Sequence, residues 1–404
     1  MKNACNKTHS CFFSSIILLP LLVLSGCTTQ ETEATQSEFP QAGAWSSHYS
    51  EAPHIIYTEA GGLILWAEEE DAQMVLKSLR STGQDLDSLV VRKGGYLPRE
   101  FTVQLSSNTQ QASVYPGVKT IFALSDIEGN FNTLVNLLQQ HHIIDHQLNW
   151  RFGDGHLVVL GDVFDRGNHV TEMLWLLYRL EQQADQAGGH VHTLLGNHEA
   201  MNLRGDIRYI EPKYAEFARL VEAQFGLDYS DLYGDQSELG RWLRSKNVIE
   251  KIGDYLFVHA GLSPELARTG LSFDKINLFS KTLFEKEKAQ FNATDSLLWG
   301  KQGPYWYRGY FEIDEKRWGP QATQSDVDQM LAQHQVETVI VGHTHVIMPE
   351  FRYGGRVCAI DVVPPADHIV ATPPWKAYGI LIKNGLFYLA DENGRLKEML
   401  AQAP

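Results

Sequence analysis

Five short stretches of this 404-residue sequence end an apolar, β-branched run in a glycine and side chains that bind metals. They are Ser125-Asp126-Ile127-Glu128-Gly129, Gly161-Asp162-Val163-Phe164-Asp165-Arg166-Gly167, Gly196-Asn197-His198-Glu199, Val258-His259-Ala260-Gly261 and Gly342-His343-Thr344-His345. Carboxylate, amide and imidazole groups in this mixture suit two divalent ions about 3.5–4 Å apart, which share one hydroxide and hold phosphate oxygens opposite it. Such a pair needs a bridging carboxylate, and Asp162 is the natural one. Asp126 and Glu128, two residues apart beyond a strand end, can turn toward one ion. Asn197, His259 and His343 can complete the other. His345 lies two residues past His343, on the same side of an extended segment, within reach of the first ion. The chemistry this set supports is hydrolysis of a phosphate ester.

Together the blocks Gly161-Asp162-x-x-Asp165-Arg166-Gly167, Gly196-Asn197-His198-Glu199, His259-Ala260-Gly261 and Gly342-His343-x-His345 resemble the signatures of the calcineurin-like metallophosphoesterase superfamily, in its order and near its spacing. One block alone would be a turn or a stray histidine pair; four in order are specific. The Asp-Arg-Gly form resembles the phosphoprotein phosphatase branch. Glu199-Ala200-Met201-Asn202 and the Tyr305-Trp306-Tyr307-Arg308-Gly309-Tyr310 loop resemble its Shewanella-like bacterial type. The resemblance spans roughly residues 120–363.

The resemblance implies two divalent ions, Mn²⁺ foremost, with Mg, Fe, Zn or Ca as alternatives. It implies Asp126 and Asp162 on the first ion, and Asp162, Asn197, His259 and His343 on the second. The nucleophile would be the hydroxide between the ions. His198 would protonate the leaving oxygen and Asp165 would orient it, as a carboxylate does for many catalytic histidines. Arg166 would clamp the phosphate through its planar fork, with Arg308 as a second clamp. The fold implied is α/β: a four-layer α/β/β/α sandwich of two mixed sheets with the metals at one edge.

One departure matters. The family's first block is Gly-Asp-x-His-Gly, whereas this chain has Ser125-Asp126-Ile127-Glu128-Gly129. With Glu128 as ligand the first ion would see three carboxylates, which favours hard ions over zinc. His345, usually missing from the phosphoprotein branch, would restore nitrogen ligation. The tyrosines and tryptophan of the 305–310 loop suit either stacking on an aryl phosphate or plain packing, and His169 is a candidate for the mouth of the site.

The elements that must position these residues alternate. Thr120–Leu124, Leu157–Leu160 and Val191–Leu195 read as strands. The stretches 130–142 and 171–184 read as helices, with Phe131, Leu134, Leu137 and Leu138 on one face of the first. Strand–helix alternation implies crossovers and a largely parallel sheet, whose ligands sit beyond the carboxyl ends of the strands. Residues 203–251 read as mostly helical. Further strands are expected at 255–258, 337–341, 356–363, 377–383 and 386–390. Before residue 118, strands are expected at 54–57, 63–66 and 101–105, and Ala72, Val75, Leu76 and Leu79 give 71–81 helical spacing.

The chain divides into a leader (1–26), a disordered tether (27–44), an N-terminal extension packing on the main domain (45–117) and the catalytic domain (118–404). Lys2 and Lys7, the apolar run 12–24 and Leu24-Ser25-Gly26-Cys27 resemble a bacterial lipoprotein leader with Cys27 acylated. That places the protein in the cell envelope, lipid-anchored on the outer membrane facing the periplasm. Losing two lysines and no acids takes the formal charge from −15 to −17. So acidic a body makes a poor nucleic-acid partner. Of four cysteines only Cys27 and Cys358 would remain, so no disulfide is expected and the core must hold the fold.

The function these readings support is metal-dependent hydrolysis of a phosphomonoester, on a phosphoprotein or a small aryl or alkyl phosphate. The alternatives are a phosphodiesterase or dinucleoside-polyphosphate hydrolase on the same site, or an inactive metal- or phosphate-binding lipoprotein. Neither substrate nor oligomeric state is legible.

Overall fold

A computed structural model describes residues 31–32, 50–81, 86–94, 99–311, 314–362 and 377–401. The leader, Cys27 and most of the tether lie outside these residues. Among the described residues no helix is long and apolar enough to cross a membrane.

Strands β1 (Glu31–Thr32), β2 (Glu51–Thr58), β3 (Gly61–Glu70) and β4 (Gln73–Ser81) form one N-terminal sheet in the order β1-β4-β3-β2. Strands β5 (Ser88–Lys93) and β6 (Arg99–Gln104) pair with each other. The helix expected over 71–81 is a strand. Glu70 pairs with Gln73, so Asp71 and Ala72 form a two-residue turn, both at positive φ (49° and 58°). That conformation matches the twist of a hairpin and fixes its register. Met74, Leu76 and Ser78 then point inward in alternation. Period two wins over the 3.6 spacing because a paired strand buries these residues where a lone helix face had no partner. Glu31–Thr32, expected in a disordered tether, pairs with Ser78 and Leu79, whose outer edge offers free backbone groups.

The N-terminal strands are tied to the helices behind them. Lys213 is buried and lies 2.8 Å from Glu51 and 3.9 Å from Glu172. Trp175 donates its indole N–H to the Pro53 carbonyl at 2.8 Å, and Tyr57 donates to Glu238 at 2.8 Å. A buried ammonium is tolerated only when carboxylates surround it.

The central architecture uses β7 (Val114–Tyr115), β8 (Thr120–Leu124), β9 (His156–Val159), β10 (His190–Thr193), β11 (Ile249–Ile252) and β12 (Tyr255–Val258). It continues with β13 (Thr338–Val341), β14 (Glu350–Arg352), β15 (Val357–Ala359), β16 (Tyr378–Lys383), β17 (Leu386–Asp391) and β18 (Leu396–Glu398). One sheet has the order β10-β9-β8-β16-β17-β18 and the other β14-β15-β13-β12-β11-β7. The strands β8, β9 and β10 run parallel, as do β12, β13 and β15; the flanking partners β16 and β11 are antiparallel. Both sheets are therefore mixed.

Alternation along each strand sorts side chains into two cores. Ile121 and Ala123 of β8, Phe257 of β12 and Ile340 of β13 belong to a core between the sheets. Phe122, Leu124, Val258 and Val341 belong to the larger core that includes helices α1 (Phe131–Gln140) and α2 (Val170–Ala187). Burial on both faces explains why these strands read as unbroken apolar runs. The result is the four-layer α/β/β/α sandwich, with the parallel strands of both sheets ending in polar loops.

Candidate active site

Each polar block follows the end of a strand. Asp126 and Glu128 follow β8, Asp162 and Asp165 follow β9, and Asn197 and His198 open the helix α3 (Asn197–Leu203) after β10. His259 follows β12 and His343 follows β13. Asp126, Glu128, Asp162, Asp165, Arg166 and His343 all have positive φ, between 50° and 71°. Non-glycine residues reach that region at a cost, and such outliers gather where the surrounding structure holds a functional geometry. Gly196 is needed for a different reason: a Cβ there would stand 2.8 Å from the Asp162 backbone N and 2.9 Å from His259 Nδ1.

Glu199 braces these loops. Its buried carboxylate accepts from the backbone N–H of Asp162 (2.8 Å), Gly196 (2.7 Å), Val163 (2.7 Å) and Phe164 (3.2 Å). The loops after β9 and β10 are thereby locked to each other, which aligns Asp162 with Asn197 and His198.

Ligand atoms of Asp162, His259 and His343 lie within 4.8 Å of one another, all three residues buried. His259 Nδ1 donates to the Leu160 carbonyl at 2.7 Å, leaving Nε2 to face Asn197 Oδ1 at 2.9 Å and Asp162 Oδ2 at 3.3 Å. Asp126 Oδ2 accepts from Ser125 Oγ, and from the His343 N–H at 3.1 Å. Burial pulls the His259 ring down, but Asp162 and Asp126 outweigh it and lift the ring to about 10. Burial, then the neighbouring Asp361, pushes Asp126 well above the carboxylate range. Burial and the His259 and Arg308 charges hold His343 neutral, and its Nε2 is buried with no hydrogen-bond partner. A neutral imidazole with an orphaned nitrogen, beside carboxylates that need positive charge, fits a divalent cation.

His198 stands next to this cluster. Its Nδ1 is 2.5 Å from Asp165 Oδ2, its backbone N–H donates to Asp162 Oδ1 at 3.0 Å, and its Nε2 is 3.9 Å from Asp162 Oδ2. Burial would lower the His198 ring, but Asp162 and Asp165 raise it above the ordinary histidine range. Asn202 donates to both Asp165 oxygens at 3.1 and 3.2 Å and itself accepts from Tyr229 at 2.8 Å.

Two expected ligands have protein partners. Glu128 is ion-paired with Arg166 Nη1, and Arg166 remains 44% exposed at its side chain. His345 Nδ1 is 2.9 Å from Asp361 Oδ1, and the ring is half-exposed at the rim. Neither they nor Asp126 belong to the Asp162–His259–His343 group. Arg308 donates from Nη1 to Thr344 Oγ1 at 3.0 Å and lies 5.0 Å over the Trp318 ring. Tyr305, Tyr307 and Tyr310 are fully buried and pack in the core, whereas Trp306 is half-buried and meets His343 edge-on at 5.9 Å. His169 is buried against Glu172, so its ring is not open to solvent.

The structure adds residues the motifs do not mark. Tyr209 is 46% exposed, 5.3 Å from the His198 ring and 5.7 Å from the Arg166 guanidinium. Asp361 is buried just beyond β15. The signal for Asp361 was available: Val357-Cys358-Ala359-Ile360 is another apolar run ending in an acid. A roomy polar cleft of about 700 Å³, lined by Tyr57, Glu238, Arg241 and Arg244, lies among the N-terminal strands and the helix 238–245, apart from these residues.

The calcineurin-like phosphoesterase family profile matches residues 119–347, more than half of the chain. The chain belongs to that family and is an enzyme of the phosphatase type. It is 32% identical over 270 residues to an uncharacterized protein of Schizosaccharomyces pombe, covering 63% of this chain and 75% of that one. It is 28% identical to Shewanella-like protein phosphatase 1 of Plasmodium berghei, covering 55% of this chain and 60% of that protein. The crystal structure of a cold-active protein-tyrosine phosphatase from a psychrophilic Shewanella species aligns at TM-score 0.71 and 32% identity, covering 87% of this chain and 99% of that one.

Proposed function

We propose that this chain hydrolyses phosphomonoesters at a site for two divalent ions. Asp126 and Asp162 hold the first ion; Asp162, Asn197, His259 and His343 hold the second. When bound, the pair supplies Lewis acidity and activates the attacking water. The observation that carries the reading is the placement of His198: Asp165 holds Nδ1, so Nε2 looks toward Asp162 and the ligand cluster. A raised histidine keeps its Nε2 proton near neutrality and can pass it to a leaving oxygen. Arg166, partly exposed, suits the oxygens of a terminal phosphate, with Arg308 beside Thr344 as a second clamp.

Among monoesters an aryl ester is favoured. Tyr209 presents an exposed ring beside His198, on the side where the leaving group would depart. The structural neighbour named as a protein-tyrosine phosphatase supports the same class. The test is turnover with added Mn²⁺ on a phosphotyrosine peptide, a phosphoserine peptide and bis-p-nitrophenyl phosphate. The reading expects the first to be hydrolysed fastest. Preference for the diester would refute it, and turnover of none, with metal still bound, would mean a binding protein.

The lipobox-like Leu24-Ser25-Gly26-Cys27 supports lipid anchoring through Cys27 in the envelope, with the catalytic body facing the periplasm. Palmitate labelling of wild type against Cys27→Ala tests it; equal labelling would rule it out.

A further inference from the structure

The loops that end β8, β9, β10, β12 and β13 supply the ligands proposed above, and one more parallel strand, β15, ends beside them. Val357, Cys358 and Ala359 pair with Val339, Ile340 and Val341, so β15 runs alongside β13 and ends level with it. Gly342-His343 leaves one strand and Ile360-Asp361 the other. The Asp361 carbonyl accepts the Val346 N–H at 2.8 Å, which ties the two exits together.

Asp361 is fully buried. One carboxylate oxygen, Oδ1, faces His345 Nδ1 at 2.9 Å; the other, Oδ2, is buried with no hydrogen-bond partner. The Asp126 carboxylate stands at the same exit, where its Oδ2 accepts the His343 N–H at 3.1 Å, and Arg308 is near enough to Asp361 for the two charges to attract. Arg308 does not pair with it, since Nη1 goes to Thr344. A carboxylate oxygen left unpaired out of water is costly. A cation held at this exit by Asp361 and Asp126 removes that cost.

We propose that Asp361 is a ligand of the first metal ion, with His345 as the residue that orients it. The inference rests on the two-ion reading above. It gives the first ion three carboxylates, Asp126, Asp162 and Asp361, while Glu128 stays with Arg166. That donor set selects hard divalent ions such as Mn²⁺ or Mg²⁺ over Zn²⁺. His345 acts from outside: its Nδ1–H fixes the carboxylate rotamer so that Oδ2 faces inward, as hydrogen-bonded partners do for metal-binding side chains generally.

The test is calorimetric titration of Mn²⁺ into the full chain after chelator stripping. Wild type should bind two ions. Asp361→Asn should keep one and weaken the other by about 100-fold, and His345→Ala should weaken the same one by about 10-fold. His345→Gln, which can still donate to Asp361, should restore most of that loss; a His345 that bound the ion itself would not be rescued. Melting of the stripped proteins separates ligation from a structural role. Stripped Asp361→Asn should melt at or above wild type, because a buried, unpartnered carboxylate oxygen is gone. Two ions at wild-type affinity in Asp361→Asn, or a stripped variant melting below wild type, would overturn the proposal. A wild type that takes up no Mn²⁺ would instead sink the two-ion reading beneath it.

Discussion

His198 Nδ1 lies 2.5 Å from Asp165 Oδ2, and this contact decides which way the other ring nitrogen points. With Asn202 holding both Asp165 oxygens, the carboxylate has one orientation, and the ring follows it. His198→Ala should lower kcat on an alkyl phosphate by about 10²–10⁴-fold. Asp165→Asn should cost about 100-fold or more on the same substrate, since the ring loses its tautomer as well as its partner. Both losses should shrink on p-nitrophenyl phosphate, whose leaving group departs without a proton. Equal losses on the two substrates would remove His198 from the role of acid.

Glu128 is paired with Arg166, where the family places a histidine ligand. Paired in this way, Glu128 would act as a positioning residue for the Arg166 clamp proposed above. Glu128→Gln should raise KM about 10-fold, the worth of one charge-assisted hydrogen bond, and leave two Mn²⁺ per chain. Metal analysis is the decisive readout. Loss of one ion in Glu128→Gln would show that the carboxylate ligates after all.

Tyr209 stands over both His198 and Arg166 and is nearly half exposed. A stacked aromatic pair contributes about 0.5–1.5 kcal/mol. Tyr209→Ala should therefore raise KM for an aryl phosphate by about 2–10-fold while KM for an alkyl phosphate moves less; Tyr209→Phe should match wild type. Parallel changes on both substrates would assign the ring to holding Arg166 alone.

These residues show where sequence reading works and where it stops. Strands β8, β9 and β12 are buried on both faces, so their apolar runs and the ligands just beyond them stand out. Strand β4 misleads because Ala72, Val75, Leu76 and Leu79 fit a helical spacing, and only the Asp71-Ala72 turn, with pairing to β3, selects the other period. Asp361 follows the same strand-end rule as its neighbours but lies between Ile360 and Val362 and carries no glycine, so no motif marks it. Glu128 reads as a ligand from its place in a motif, and nothing in that motif marks its ion pair with Arg166. Tyr209 sits in an aperiodic loop, where only three-dimensional proximity to His198 gives it meaning.

A last prediction concerns a buried polar chain that links β9, β10 and β11. Glu250 Oε2 is 2.6 Å from His192 Nδ1, and His192 Nε2 is 2.8 Å from His156 Nδ1. Glu250 Oε1 accepts from Asn247 at 2.8 Å. Burial pushes the Glu250 carboxyl up to about 7, against the pull of Asn247, His190, Lys246 and Lys281. Burial holds His192 well below the histidine range, so at mildly acidic pH the chain is neutral: Glu250 donates to His192, which donates to His156. Between pH 4.5, the ordinary glutamate value, and about 7, the folded protein keeps a proton that the unfolded chain has lost. Glu250's own contribution to stability therefore falls as pH rises through that window. Glu250→Gln preserves a donor to His192 and an acceptor for Asn247 but cannot ionise. Its stability relative to wild type should grow from pH 4.5 to 7.5, by up to about 3 kcal/mol. Denaturant melts of the two proteins across that range measure the difference. A gap that stays constant with pH would mean that Glu250 is ionised throughout and paired with a charged His192.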